Sequence, residues 1–184
     1  MLKLYIVRHG KTLFNEKHLI QGCCDSPLTK EGIQQAKTLW VELKNIPFNA
    51  CYVSPMHRAI ETATYIIQNR DIPLFINHNL KEFNFGSIEG DSEDKLKSIY
   101  PILQGKKVDG FDGDNIQDFT KRILKGLDEI HQSNSDGNIL IVTHSGVITA
   151  LLNAITNLPK EEFIHIKNCS VTQLEWNYGW KLCN

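Results

Sequence analysis

The N-terminal stretch Leu2-Lys3-Leu4-Tyr5-Ile6-Val7-Arg8-His9-Gly10 runs from a near-continuous apolar segment into an arginine, a histidine and a glycine. It reads as a buried strand that delivers a charged pair to the rim of a sheet. The scheme recurs twice. Residues 50–53 are apolar and lead into Ser54-Pro55-Met56-His57-Arg58-Ala59, and residues 139–142 lead into Thr143-His144-Ser145-Gly146. Helical spacing fills the intervals. Ile33, Ala36, Trp40 and Leu43 share one face; so do Ala59, Ala63 and Ile66; so do Ile116, Phe119, Ile123, Leu127 and Ile130. Residues 147–155 add an apolar helix. Thr29 is placed to cap the first helix, and Ser54 before Pro55 reads as the cap of the second. Residues 73–76 read as an edge strand, and 171–176 with 180–182 as a closing hairpin through Gly179. Residues 77–114, rich in glycines and acids, read as a long insertion with short helices. Strands alternating with helices predict an α/β fold, a three-layer α/β/α sandwich around a mostly parallel central sheet, with residues 1–184 forming one domain.

Composition narrows the function. A formal net charge of −1 over 184 residues argues against a general nucleic-acid binder, which carries a basic excess. Hydrophobic residues at 41% and charged ones at 22% are globular values, which argues against disorder. No apolar run approaches the ~18 residues of a membrane span. The first apolar run stops at Arg8, too soon for a secretory leader, so a cytoplasmic protein is expected. The five cysteines, Cys23, Cys24, Cys51, Cys169 and Cys183, form no CxxC pair and are expected as reduced thiols, with no disulfide framework and no metal site.

In open α/β sheets ligands bind beyond the carboxyl ends of the strands. Here those ends carry Arg8-His9, Ser54 with Arg58, and His144. Histidine can act as a nucleophile, and the planar arginine fork suits an anion. Arg58 falls in the first turn of a helix, where a cation opposes the dipole unless an anion is near. Glu82, between apolar neighbours in Leu80-Lys81-Glu82-Phe83-Asn84-Phe85-Gly86, can sit in a dry setting that raises a carboxyl pKa. Taken singly, each has an ordinary reading: a surface histidine beside a paired arginine, a solvated Arg58, a turn-capping His144, a surface Glu82. Ser145 lacks the GxSxG context of a serine nucleophile, and His57 reads as a surface residue.

Taken together and in order, these pieces resemble the histidine phosphatase superfamily, with its phosphoglycerate mutase-like fold. They are Arg8-His9-Gly10; Asn15; Gln21-Gly22; Asp25-Ser26-Pro27-Leu28-Thr29 with Gly32; Ser54-Pro55 with Arg58-Ala59 and Thr62-Ala63; Glu82 with Gly86 and Glu89-Gly90; and His144-Ser145-Gly146. They span most of the chain. The resemblance implies that His9 attacks phosphorus and becomes a phosphohistidine. It implies a cationic pocket of Arg8, Arg58 and His144, with Asn15, Gln21, Gly22 and Ser145 on the substrate. Glu82 is then the proton donor to the leaving group and the base for the water that follows. No metal or other cofactor is implied. The partner is a small phosphorylated metabolite.

Two departures bear on subtype. Many relatives have glycine where this chain has Ser145, which alters the pocket but removes no catalytic group. The segment after Glu82 is short beside that of the glycolytic mutases, which favours hydrolysis over transfer. The alternatives are a phosphoglycerate mutase-type phosphotransferase and a non-catalytic phospho-ligand binder on the same fold. Similar proteins include broad-specificity, α-ribazole and sugar-phosphate phosphatases. The expected specificity wall comprises His18, Gln21, Cys23, Cys24, Phe83, Phe85 and residues 100–114. Within it Lys106-Lys107 are read either as a contact to a second anion or as a solvated pair. Oligomeric state stays open, an edge-strand dimer being one option.

Overall fold

A computed structural model of the chain describes residues 1–68, 70–103, 105, 110–156 and 166–183. Six strands form a sheet in the order β3-β2-β4-β1-β5-β6. The strands β1 (Leu2–Arg8), β4 (Gly137–Thr143), β2 (Phe48–Val53) and β3 (Leu74–Ile76) run parallel. The C-terminal hairpin, β5 (Val171–Trp176) and β6 (Trp180–Leu182), adds antiparallel to β1. The mostly parallel sandwich expected from the sequence is the fold observed.

Residues of β1 alternate between two apolar layers. Leu2, Leu4 and Ile6 join the layer containing α5 (Ile116–Ser133) and α6 (Ser145–Ile155). Tyr5 and Val7 join the opposite layer, under α2 (Lys30–Leu43) and α3 (His57–Ile67). With both faces covered, polar side chains find room only at the strand ends. There Val7 lies level with Val142, and Val142 with Val53. The next residues of three neighbouring strands therefore emerge side by side.

Several local expectations shift. The buried face of α2 is Gly32, Ala36, Leu39 and Leu43, so Leu39 replaces Trp40 inside. On that face Gly32 sits so close to the Lys11 backbone that a side chain there would overlap it. Thr29 does cap α2, accepting from the Gly32 N–H at 3.0 Å. Ser54, by contrast, does not begin α3. That helix starts at His57, and Met56 at its N-cap supplies no side-chain bond. The carboxylate of Asp25 takes the role from a distant loop, accepting from the His57 N–H at 2.5 Å. The short α1 (Leu13–Glu16) had no periodic signal and rests on reciprocal Thr12–Asn15 capping bonds.

The 77–114 stretch holds three short 3-10 turns and α4 (Leu96–Leu103), as expected of it. It also folds back on itself. The Asp114 N–H donates to the Asn84 carbonyl at 2.8 Å, and the Asn84 N–H to Asp114 Oδ2 at 3.0 Å. Lys106 and Lys107 lie outside the described residues. β3 is an edge strand as expected, with Leu74, Phe75 and Ile76 exposed. Among the described residues no helix is long and apolar enough to cross a membrane.

Candidate active site

The ends of β1, β4 and β2 bring His9, His144 and Ser54 together. The His9 N–H donates to the Thr143 carbonyl at 2.9 Å and the Ser54 N–H to the Val142 carbonyl at 3.0 Å, so the ladders run on past the strands. The two imidazole rings lie 5.3 Å apart, centroid to centroid. His9 Nδ1 is 2.8 Å from the Gly10 carbonyl. A carbonyl oxygen only accepts, so Nδ1 carries the proton and Nε2 is left with a free lone pair. Burial, and then the charges of Arg58 and Arg8, hold the His9 pKa well below its ordinary value. The result is a neutral imidazole in a fixed tautomer. His144 is likewise depressed, by burial first and then by Arg58. Its Nε2 lies 2.7 Å from Ser54 Oγ. Ser54 Oγ also accepts from the Met56 N–H at 3.4 Å, so it braces the turn before α3 rather than the helix itself.

Glu82 arrives from the other side. Its Oε1 accepts from the Phe83 N–H at 2.8 Å and its Oε2 from the Gly146 N–H at 3.0 Å, at the start of α6. Burial raises its pKa, against the pull of those two amides and of Arg58 and Arg8. A buried carboxyl with a raised pKa is suited to hold and deliver a proton. Gly146 makes the approach possible, since a Cβ there would overlap Glu82 Oε1.

The titratable side chains of the site are deeply buried. Arg58 is 1% exposed, His144 0%, His9 4% and Glu82 8%. Arg58 Nη1 donates to the Cys24 carbonyl at 2.9 Å and to Asp25 Oδ1 at 3.0 Å, while Nη2 donates to the Gly22 carbonyl at 2.7 Å. Arg8 Nη1 donates to the Ile166 carbonyl. Arg8 Nε, Arg58 Nε and His144 Nδ1 are buried with no partner among the described residues. Buried arginine N–H groups without acceptors are uncommon, and an anion is a ligand that can satisfy them.

A family model for the histidine phosphatase superfamily, branch 1, matches residues 4–183. The chain belongs to that superfamily. It is 31% identical to the adenosylcobalamin/alpha-ribazole phosphatase of Salmonella typhimurium, covering 90% of this chain and 85% of that one. Two solved structures show the same fold across the whole chain. A phosphoglycerate mutase from Bacillus anthracis superposes with a TM-score of 0.87 at 28% identity, covering 98% of this chain and 91% of its own. A phosphoserine phosphatase from Entamoeba histolytica, in complex with 3-phosphoglyceric acid, gives 0.85 at 28% identity, covering 100% and 96%.

In this member of the superfamily, Arg8, His9, Arg58, Glu82 and His144 share one electrostatic cluster. Ser145 opens α6 beside it. Asn15 joins through Asn168, whose Nδ2 donates to the His9 carbonyl at 2.9 Å and to Asn15 Oδ1 at 3.2 Å. Asn15 Oδ1 also accepts from the Thr12 N–H, so two donors turn its oxygen inward and leave its amide NH₂ as the free end. Gln21 is in the neighbouring loop, but its amide is engaged at both ends, by the Thr12 hydroxyl at 2.8 Å and Ser26 Oγ at 3.1 Å. Gly22 contributes shape: φ is +52°, and a Cβ would overlap Glu89.

The expected specificity wall divides. Phe83 is core, 5.0 Å from the Phe85 ring and 5.1 Å from that of Phe119. Phe85 packs, partly buried, against the same cluster. His18 is exposed beside Glu93 at 3.5 Å. Cys23 and Cys24 lie in the loop that Glu89 and Arg58 hold. Burial pushes both thiols up, Cys24 to about 11, so neither is a thiolate at neutral pH.

Sequence reading missed four contributors: Asp25 as the partner of Arg58, Asn168, Arg122 and Glu89. Glu89 Oε1 accepts from the N–H groups of Cys23 at 2.7 Å and Phe85 at 3.0 Å, and Oε2 from that of Cys24 at 2.7 Å. It clamps the 22–24 loop to the segment that carries Glu82. The Glu89-Gly90 pair was visible in the sequence, but nothing local showed that its carboxylate bonds a loop 66 residues earlier.

Proposed function

We propose that this protein is a phosphatase of small phosphomonoesters that works through a phosphohistidine on His9, with Glu82 as proton donor. The observation that carries the reading is the His9 Nδ1 bond to the Gly10 carbonyl, which leaves Nε2 unprotonated and directed by the ring. In the first step Nε2 bonds to phosphorus and the ester P–O bond breaks, its electron pair leaving with the alkoxide. Glu82 gives its proton to that oxygen. In the second step the Glu82 carboxylate takes a proton from water as the water attacks phosphorus. The P–N bond breaks, phosphate leaves and neutral His9 returns.

The phosphoryl group moves with charge spread over its oxygens, so positioning and electrostatics dominate the barrier. Arg8, Arg58 and His144 supply the cationic and N–H groups, and Asn15 a neutral donor. Arg58 acts here through its charge and its free Nε, because both Nη atoms hold the 22–25 loop. The positive charge comes from side chains, so the proposed reaction proceeds without a metal. The alpha-ribazole and phosphoserine phosphatases among the relatives support hydrolysis of small phosphate esters. The mutase-like neighbour keeps phosphoryl transfer as the second reading.

The test is hydrolysis of a phosphomonoester panel in excess EDTA, comparing wild type with His9→Ala. Turnover that survives EDTA and vanishes in the variant is expected. Turnover that EDTA abolishes, or that the variant retains, overturns the mechanism. Absence of turnover in wild type, with transfer restored by a bisphosphate primer, gives the mutase reading.

A further inference from the structure

Glu82 stands on a segment without ladder support. Residues 81–85 belong to no strand or helix. Glu89 and Asp114 hold the later N–H groups, and the carbonyls up to Glu82 turn to one side chain from α5. Arg122 Nη1 donates to the carbonyls of Asn79 at 3.1 Å and Lys81 at 2.8 Å, and Nη2 to the carbonyl of Glu82 itself at 3.3 Å. Nη2 also lies 3.5 Å from Asp114 Oδ2, the same oxygen that accepts from the Asn84 N–H. The guanidinium is 4.9 Å from the centre of the Phe119 ring, which fixes its plane.

We infer that Arg122 is a positioning residue for the proton donor, and that with Asp114 it sets where the Glu82 carboxyl sits relative to the leaving group. This rests on Glu82 acting as the acid. Three carbonyls within four residues turn toward one planar fork, and the following N–H turns toward the carboxylate paired with it. The peptide is thus gripped on both sides of Glu82. The carboxyl's own bonds, to Phe83 and Gly146, fix its rotation but not the height of its Cα. A lysine cannot replace the fork, because a single ammonium cannot reach three carbonyls and a carboxylate in one plane. Misplacing an acid by about 1 Å costs rate even when binding is intact.

The inference has a signature that a merely structural role lacks. Proton donation matters in proportion to the basicity of the leaving group. An alkoxide needs the proton, whereas p-nitrophenolate departs with little help. The ratio kcat/KM reports only steps through loss of the leaving group, so the later role of Glu82 as base does not enter.

The experiment compares kcat/KM for an alkyl phosphate and for p-nitrophenyl phosphate in wild type, Arg122→Lys, Asp114→Asn and Glu82→Gln, with Lys121→Gln as a surface control. Vanadate affinity is measured for each. Arg122→Lys should lose about 10- to 100-fold on the alkyl ester but less than about 3-fold on the aryl ester, with vanadate affinity unchanged. Asp114→Asn should show the same pattern more weakly, and it keeps the test alive if Arg122→Lys does not fold. In a Glu82→Gln background, Arg122→Lys should add no further difference between the esters. Equal losses on both esters, or none on either, overturn the role of Arg122. A Glu82→Gln variant with no preference between esters overturns the acid assignment, and the inference falls with it.

Discussion

The floor of the site and its wall are built by different means. The floor is His9, Ser54 and His144, each one residue beyond a strand and each placed by main chain: His9 and Ser54 by ladder bonds to β4, His144 as the N-cap of α6, its carbonyl accepting from the Ile148 N–H at 3.1 Å. The wall is the 22–25 loop and the 81–90 segment. It has no ladder of its own and is held by Arg58, Glu89, Arg122 and Asp25 through charge-assisted bonds to backbone. A buried group held by a sheet is as stable as the sheet. A wall held by a few buried charges depends on each of them, since losing one partner strands the other.

That contrast is open to direct attack. Removing the nucleophile should have the largest effect: His9→Ala loses on the order of 10⁴-fold or more in kcat. The variant should still fold and still bind inorganic phosphate, because the floor is placed by main chain. Failure to fold would mean that the ring, and not the ladder, holds the floor. Glu82→Gln comes next, losing about 10²- to 10⁴-fold in kcat/KM on alkyl phosphates. Its pH profile carries the sign. Burial raises the Glu82 pKa and lowers that of His9. Wild-type kcat/KM should therefore fall as pH rises through the raised Glu82 value, and Glu82→Gln should lose that limb.

Gly146→Ala tests the seam between floor and wall. The added methyl overlaps Glu82 Oε1, so the carboxyl must shift. About a 10-fold loss on alkyl phosphates and about 1–3 kcal/mol of stability are expected from urea unfolding. Glu89→Gln touches only the wall. It replaces one acceptor of the three N–H bonds with a donor and should cost about 1–3 kcal/mol. Hydrogen exchange should rise in the 22–24 loop and stay unchanged in β1 and β4. Equal deprotection of all three would dissolve the distinction between the two regions.

The smallest effect concerns the floor alone. His9 and His144 are buried neutral, with pKa values held below that of the unfolded chain. Between those values the unfolded state binds more protons, so stability is full above about pH 6.5 and falls as pH drops below it. Thermal melting with and without inorganic phosphate checks this. Phosphate should oppose the acid loss, because an anion favours the charged rings, and His9→Ala should flatten the dependence.

The same contrast explains what could be read from the chain. Strands, the helix faces of α3 and α5, and the strand-end residues His9 and His144 all follow from periodicity and position. Glu82 stood out locally as a carboxyl between apolar neighbours, but its place in the site came only from the family resemblance, because its partner Gly146 is 64 residues away. Asp25 capping α3 and Arg122 gripping 79–82 had no local mark at all. Each is a charged residue that looks solvated until the fold brings a distant backbone to it. The misplaced cap at Ser54 belongs to the same class: its hydroxyl serves His144, 90 residues on.

The bond from His9 Nδ1 to the Gly10 carbonyl spans a single peptide unit. A tautomer set so locally travels with the tripeptide and asks nothing of the wall. Loops facing the substrate are then free to lengthen, shorten or change composition while the proposed nucleophile stays tuned. Natural selection can thus alter the chemical appetite of such a scaffold without rebuilding its reactive atom.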